Sequence, residues 1–190
     1  MSIFISIASY QDPLLVSTIW SAYSNACNKK DLIFSICDQS DNPVKINELP
    51  FAQQIKYDHV DPLFAKGPCW ARHRAQSFYA AEEYFLQIDS HTQFLPDWDI
   101  LFIESLSKIE ALGSHDNYFN KPIITSYPRG FEVVDFEKGL FSLHSGDKHT
   151  QVITYREDSI FSRGSFSRQI GMPTKHSEIT HAFLMAAGCI

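Results

Sequence analysis

The chain has 190 residues, 44% of them hydrophobic and 14% aromatic, enough for one domain with a sizeable core and too apolar for a disordered segment. Sixteen basic against 22 acidic residues give a formal charge of -6, which excludes a general affinity for nucleic acid but leaves room for a local basic patch facing an anion. No stretch approaches the ~18 apolar residues of a membrane span. Cys27, Cys37, Cys69 and Cys189 form no C-x-x-C pair, so they read as reduced thiols of a cytoplasmic protein.

The N-terminal "MSIFISIASYQDP" lacks a basic region and a long apolar run, and reads as a first strand over Ile3–Tyr10. That strand is apolar on both faces, as expected inside a parallel sheet. Asp12-Pro13 punctuates it, with Pro13 at a first helical position and Leu15, Ile19, Ala22 and Ala26 following at helical spacing. "DLIFSICDQ" (31–39) predicts a second strand, residues 40–50 a loop, and "IKYDHV" a third strand over Ile55–Val60. "GPCWARHRAQSFYAAEE" (67–83) is a turn entering a helix, and "YFLQID" a fourth strand over Tyr84–Asp89. Pro96 or Asp97 opens a further helix, carried by Trp98, Leu101, Phe102, Leu106 and Ile109 and stopped by Gly113. "PIITSY" (122–127) predicts a fifth strand; beyond Gly130 the pattern loosens into short β-prone pieces such as "QVITYRE" and "DSIFSRGSF". "HAFLMAAGCI" ends the chain in an apolar run, which reads as a buried last strand or as a chain cut short of its natural length.

Strands alternating with helices predict an α/β fold with a mostly parallel sheet, in which ligands sit beyond the carboxyl ends of the strands. Tyr10, Gln39 and Asp89 fall at such ends. Asp89-Ser90-His91 interrupts an apolar run with two metal-type ligands. On an extended segment, side chains two apart point the same way, so Asp89 and His91 can converge on one ion. One carboxylate and one imidazole are too few for structural zinc, but suit Mn²⁺ or Mg²⁺ when phosphates and water complete the shell. The plainer reading is that Asp89 caps a turn and His91 is a surface residue. Gly67-Pro68 before a helix carrying Arg72 makes a second anion-friendly feature, with a solvated basic face (Arg72, His73, Arg74) as its plain alternative.

The motifs "IFISIASYQDP", "AKGPCWAR", "EEYFLQIDSHTQF" and "WD" at Trp98-Asp99, in that order and spacing, resemble the GlcNAc-transferring glycosyltransferases that add GlcNAc in α-linkage to hydroxyproline or threonine of cytoplasmic or mucin-like proteins. The resemblance covers about residues 3–106 and is weaker through 122–188. It implies a GT-A fold, a retaining transfer, a UDP-GlcNAc donor, a hydroxyl acceptor on protein threonine, hydroxyproline or a glycan, and Mn²⁺ or Mg²⁺ held by Asp89 and His91. It further implies a nucleotide-sugar pocket lined by Ala8, Ser9, Tyr10, Asp12, Gly67, Arg72 and Ser90, with Gln39 a weaker carry-over. Trp98 and Asp99 are candidates for facing the sugar, Asp99 as the candidate catalytic group. Against that, Trp98 fits an apolar helix face and Asp99 a first-turn dipole position.

Residues 1–127 would form the nucleotide-sugar and metal half of a single domain (1–190), and 128–190 the start of an acceptor-side half. Members of the family extend further, with a late histidine completing the metal shell; His176 and His181 match it only by type. A metallophosphoesterase also uses D-x-H, but places it after the first strand and needs an Asn-His pair, which this sequence lacks. There is no G-x-S-x-G elbow and no G-x-G-x-x-G after the first strand. The remaining alternative is a transferase-like domain that binds UDP-sugar or a protein partner without turnover.

Overall fold

The computed structural model describes residues 1–113, 123–124, 130–135, 140–143, 151–154, 165–168 and 188–189. Its centre is a parallel sheet of β1 (Ile3–Tyr10), β2 (Leu32–Gln39), β3 (Ile55–Val60) and β4 (Tyr84–Asp89) in the order β3-β2-β1-β4. The chain therefore builds outward from β1 through β2 to β3, then crosses back to lay β4 on the other side of β1. This all-parallel sheet with helices against it is the predicted α/β, Rossmann-like architecture, and the reversal of strand order lies between β1 and β4.

Both faces of the central strands are covered, which explains their unbroken apolar character. On one face Ile3, Ile5, Ile7, Leu32, Phe34, Ile36 and Ile88 pack against Leu15, Ile19 and Ala22 of α1 (Leu15–Asn25) and against Phe94 and Trp98. Each such aliphatic side chain contributes about 1.5–3 kcal/mol by leaving water. On the other face the small residues Ala8 and Cys37 lie beneath Ala71 and Ala75 of α2 (Pro68–Gln76), and Ser35 Oγ donates to the Ala75 carbonyl at 2.7 Å. Small side chains there let the helix approach the sheet closely.

Two helix boundaries differ from the sequence reading, as does the turn after β4. α1 starts at Leu15 because Asp12 Oδ1 accepts the Leu14 N–H at 2.9 Å and keeps Pro13 in a turn. α2 ends at Gln76, short of residue 83, because the Tyr79 ring leaves the helix axis to stand edge-on against Phe4 at 5.4 Å and Phe85 at 5.8 Å. β4 ends at Asp89 as predicted, but Ser90 and His91 sit in a turn before the short strand β5 (Thr92–Gln93), so the D-x-H stretch is not the extended segment assumed for it.

α3 follows as Trp98–Gly113, and Asp97 takes a left-handed φ of 61° just before it. Beyond it, β6 (Phe131–Asp135) pairs antiparallel with β7 (Leu140–Leu143), and β8 (Gln151–Thr154) antiparallel with β9 (Ser165–Arg168). β10 (Gly188–Cys189) pairs parallel with β5; the rest of the apolar tail lies outside the described residues. Of the predicted strand over 122–127, Ile123 and Ile124 are in no strand, and the rest lies outside the described residues, as do His176 and His181. Among the described residues no helix is long and apolar enough to cross a membrane.

Candidate functional site

The carboxyl ends of β1 and β4 open where the strand order reverses, which is where open α/β sheets place their ligands. Two loops meet there. One leaves β1 through Gln11, whose φ of 49° turns the chain while its N–H bonds the Gln39 carbonyl at 3.0 Å, and enters α1 past Asp12. The other is the Asp89-Ser90-His91 turn after β4.

Asp12 joins the two loops. Its Oδ2 accepts from Ser90 Oγ at 2.6 Å and from His91 Nδ1 at 2.7 Å, and its Oδ1 takes the Leu14 N–H. From beneath, Thr18 of α1 donates Oγ1–H to the Ser90 carbonyl at 2.6 Å and accepts the Thr92 N–H at 3.0 Å. Thr92 Oγ1 in turn donates to the Asp89 carbonyl at 3.0 Å. The turn is thus clamped on both sides. Asp12 titrates below its usual range: burial pushes it up, but the bonds from His91, Ser90 and the Leu14 amide, with the His91 charge, outweigh that push. His91 moves up, chiefly through its bond to Asp12 and against burial, with the Asp12 and Asp89 charges adding to the rise.

Asp89 lies opposite Ala8 in the sheet, on the α2 side. Arg72 of α2 reaches it, Nη2 to Oδ1 at 3.2 Å, and their side chains are only 13% and 14% exposed. Arg72 Nε is buried and finds no partner among the described residues. The three consecutive basic residues do not share a face. Arg74 turns to β3, donating Nε and Nη2 to Asp58 at 2.6 and 2.8 Å, with its guanidinium 5.0 Å from the Trp70 ring centre. Of the two arginines, only Arg72 reaches toward Asp89 at the crevice. Gly67 immediately precedes α2, with φ 87° and open space where a Cβ would stand, and no side chain caps the helix. With Pro68 at the first position, the next backbone N–H groups have no intrahelical acceptor, which favours an anion.

The other residues named from the sequence divide. Ala8 and Ser9 are part of β1, with Ser9 buried and its Oγ without a partner among the described residues. Tyr10 is 59% exposed at the strand end. Gln39 is buried beside it, donating Nε2–H to the Ser9 carbonyl at 3.0 Å while its Oε1 remains unpartnered among the described residues. Trp98 and Asp99 do not come to the crevice. Trp98 is 2% exposed, lies tilted against the Phe94 ring at 4.6 Å and donates its indole N–H to the Ala22 carbonyl at 2.8 Å. Asp99 is fully buried, and its two oxygens accept the backbone N–H groups of Cys27 and Asn28 at 2.9 and 2.8 Å. Those amides lie after α1, at the opposite edge of the sheet. A carboxylate spent there cannot reach a sugar bound beyond the carboxyl ends, so the structure corrects the expectation for both residues.

Sequence reasoning passed over Thr18 and the Asp38 network. Asp38 Oδ2 accepts from Tyr57 OH at 2.6 Å and Ser40 Oγ at 2.9 Å, stiffening the end of β2 next to Gln39. Thr18 carried a signal: it is a hydroxyl inside the apolar periodicity of α1, where a buried polar atom needs partners.

Asp89 and His91 are only two candidate donors, and no group of three or more His, Cys, Asp or Glu that could hold a metal occurs among the described residues. The donor chemistry nevertheless suits a hard divalent cation: one carboxylate, and one imidazole whose other nitrogen is held by a second carboxylate. Comparison with protein-family models matches residues 41–190 to the glycosyltransferase (GlcNAc) family. The match starts after β1, so it leaves out the first-strand motif and takes in the later segments where the sequence resemblance is weaker. No curated protein and no solved structure matches the chain.

Proposed function

The chain belongs to the glycosyltransferase (GlcNAc) family, and from that premise we propose that it transfers GlcNAc from UDP-GlcNAc to a hydroxyl acceptor with the help of Mn²⁺ or Mg²⁺. The observation that carries this reading is the convergence of Asp12, Arg72, Asp89, Ser90 and His91 on one crevice at the strand-order reversal. A bound cation would neutralise charge developing on the UDP leaving group.

The protein's own groups have separate tasks in this proposal. Asp89, through the carboxylate oxygen not facing Arg72, and His91, through Nε2, are the metal donors. Arg72 and the uncapped start of α2 after Gly67 present positive charge and N–H donors to the diphosphate. Ala8, Ser9, Tyr10 and Gln39, at the ends of β1 and β2, form the wall for the nucleoside. Exposed Tyr10 offers a ring face for stacking, and Gln39 Oε1 an acceptor for a base N–H. Ser90 acts through its place in the clamped turn. The acceptor would be a protein threonine or hydroxyproline, or a glycan hydroxyl, in a cytoplasmic setting consistent with the free thiols of Cys27, Cys37 and Cys69.

Calorimetric titration with UDP tests the donor side. Binding is expected in Mn²⁺ and should weaken sharply in EDTA, and Asp89→Ala should abolish the difference. Equal affinity in Mn²⁺ and EDTA would sink the metal role. Incubation with UDP-GlcNAc and peptides bearing threonine or hydroxyproline, read by mass spectrometry, then separates transfer from hydrolysis of the donor or simple binding.

A further inference from the structure

The resemblance to the family implies that Asp12 lines the donor pocket, yet its geometry suits a different task. Each carboxylate oxygen is already engaged within the protein: Oδ1 by the Leu14 N–H, and Oδ2 by both Ser90 Oγ and His91 Nδ1. The side chain is 14% exposed and turned toward these partners. Nothing comparable holds Asp89, whose only side-chain bond among the described residues is the longer one to Arg72.

We propose that Asp12 is the positioning residue of the metal site: it fixes the His91 ring by its Nδ1 so that Nε2 faces the crevice as an unprotonated donor. An ionised carboxylate can only accept hydrogen bonds, so the hydrogen between Asp12 and His91 sits on Nδ1. In the neutral imidazole the lone pair is then on Nε2, the nitrogen left free. The bond from Ser90 fixes the turn at the same point, and Thr18 holds the Ser90 carbonyl from the helix side. In its neutral form the ring is therefore set in both tautomer and direction before any ligand arrives. A carboxylate that orients a metal-bound histidine through its distal nitrogen typically accounts for about 10–100-fold in metal affinity. The inference rests on the reading of Asp89 and His91 as metal donors, but its first prediction concerns the ring alone.

The decisive variant is Asp12→Asn, which keeps the shape. Its carbonyl oxygen can still accept from Leu14 or Ser90, but an amide NH₂ placed at His91 donates to Nδ1 and drives the ring to the Nε2–H tautomer. Long-range ¹H–¹⁵N spectra of the metal-free protein, at a pH high enough for neutral rings, report the tautomer directly. The His91 signal is assigned by its loss in His91→Gln. The wild-type chain should show Nδ1–H and Asp12→Asn should show Nε2–H at a melting temperature close to wild type. Mn²⁺ affinity, read by electron paramagnetic resonance without any donor sugar, should fall about 10–100-fold. Asp12→Ala should lose the same affinity and stability as well.

An Nε2–H ring in the wild-type protein overturns the proposal with no variant needed. So does an Asp12→Asn chain that keeps Nδ1–H or binds Mn²⁺ as wild type does. Failure of the underlying reading looks different: Mn²⁺ affinity is then unchanged in Asp89→Ala, whatever the spectra show for His91.

Discussion

Asp12, half-buried, and Asp99, fully buried, both have every carboxylate oxygen engaged, and they stand at opposite edges of the same sheet. At the carboxyl edge, Asp12 holds side chains, Ser90 and His91, of which the histidine keeps a second nitrogen to offer. At the amino edge, Asp99 holds two backbone amides, of Cys27 and Asn28, which have nothing further to give. If Asp12 has the proposed role, saturation alone does not separate a functional carboxylate from a structural one. What separates them is whether the partner has chemistry left after the bond is made.

The comparison is tested hardest at the amino edge. Trp98→Ala removes a fully packed indole and its bond to the Ala22 carbonyl, and should cost about 3–5 kcal/mol in urea unfolding. Asp99→Ala leaves two part-buried amides without their acceptor and an empty space where the buried carboxylate stood, and should cost about 2–4 kcal/mol. In both variants the fraction still folded should bind UDP with Mn²⁺ as wild type does. A specific loss of donor affinity at full folding would return these residues to the site and break the distinction drawn here.

At the carboxyl edge the balance should invert. Asp89→Ala should weaken Mn²⁺-dependent UDP binding at least about tenfold, which corresponds to about 1.4 kcal/mol. His91→Ala should cost less, because it removes a neutral donor and leaves the anionic one in place. Arg72 complicates the reading of Asp89→Ala, since the variant strands a guanidinium that is only 13% exposed. The double variant Asp89→Ala/Arg72→Met removes both charges and should recover stability without recovering affinity. Recovery of affinity as well would mean that Asp89 matters only as a counter-ion.

The difference between the edges was only half legible in the sequence. Strand existence was clear because β1, β2 and β4 are short, mainly apolar runs and β3 a short β-prone one, each bounded by turn residues, and β1, β3 and β4 keep their predicted limits. The crevice was legible too, since strand ends and the D-x-H interruption coincide at Asp89. Trp98-Asp99 misled because an acidic residue after an aromatic has the same local appearance in a site as at a helix start. Only the return of the chain after α1, 71 and 72 residues earlier, shows which amides Asp99 meets. The turn geometry of Ser90 and His91 was hidden for a related reason. It depends on Asp12 and Thr18, which lie more than 70 residues away in the chain. Arg72 and Arg74 were inseparable by spacing, and their division between Asp89 and Asp58 follows from the positions of β4 and β3 on either side of α2.

The pair at the carboxyl edge also has a pH signature in the ligand-free protein. Asp12 is held below 3.8 and His91 above 6.5 when folded. The Asp12 contribution is present above its unfolded value and lost as pH falls through the depressed folded one. The His91 contribution is complete below its unfolded value and lost as pH rises through the elevated folded one. The melting-temperature gap between wild type and His91→Gln should therefore be widest between the two values and should narrow on moving from pH 6 to pH 9. A gap that widens with pH would mean that the ring is held neutral and the Asp12 bond is not charge-assisted.

The smallest effect is kinetic, and it uses a cysteine at each edge. Cys27 neighbours the amides that Asp99 holds, Cys69 is in the first turn of α2 beside Gly67, and both are exposed. Cys37 lies buried between sheet and α2, where burial, and then the Asp58 charge, push its thiol up to about 11. At pH 8 its thiolate fraction is then about one in a thousand, and the buried sulfur is shielded besides. Peptide-resolved alkylation of the native protein should therefore modify Cys27 and Cys69 and spare Cys37. If the diphosphate sits at the start of α2, UDP with Mn²⁺ should slow Cys69 by a few-fold and leave Cys27 unchanged. EDTA should remove that protection. Protection of Cys27 instead would place the ligand at the Asp99 edge, and equal protection of both would point to a global tightening of the fold and away from a ligand seated at α2.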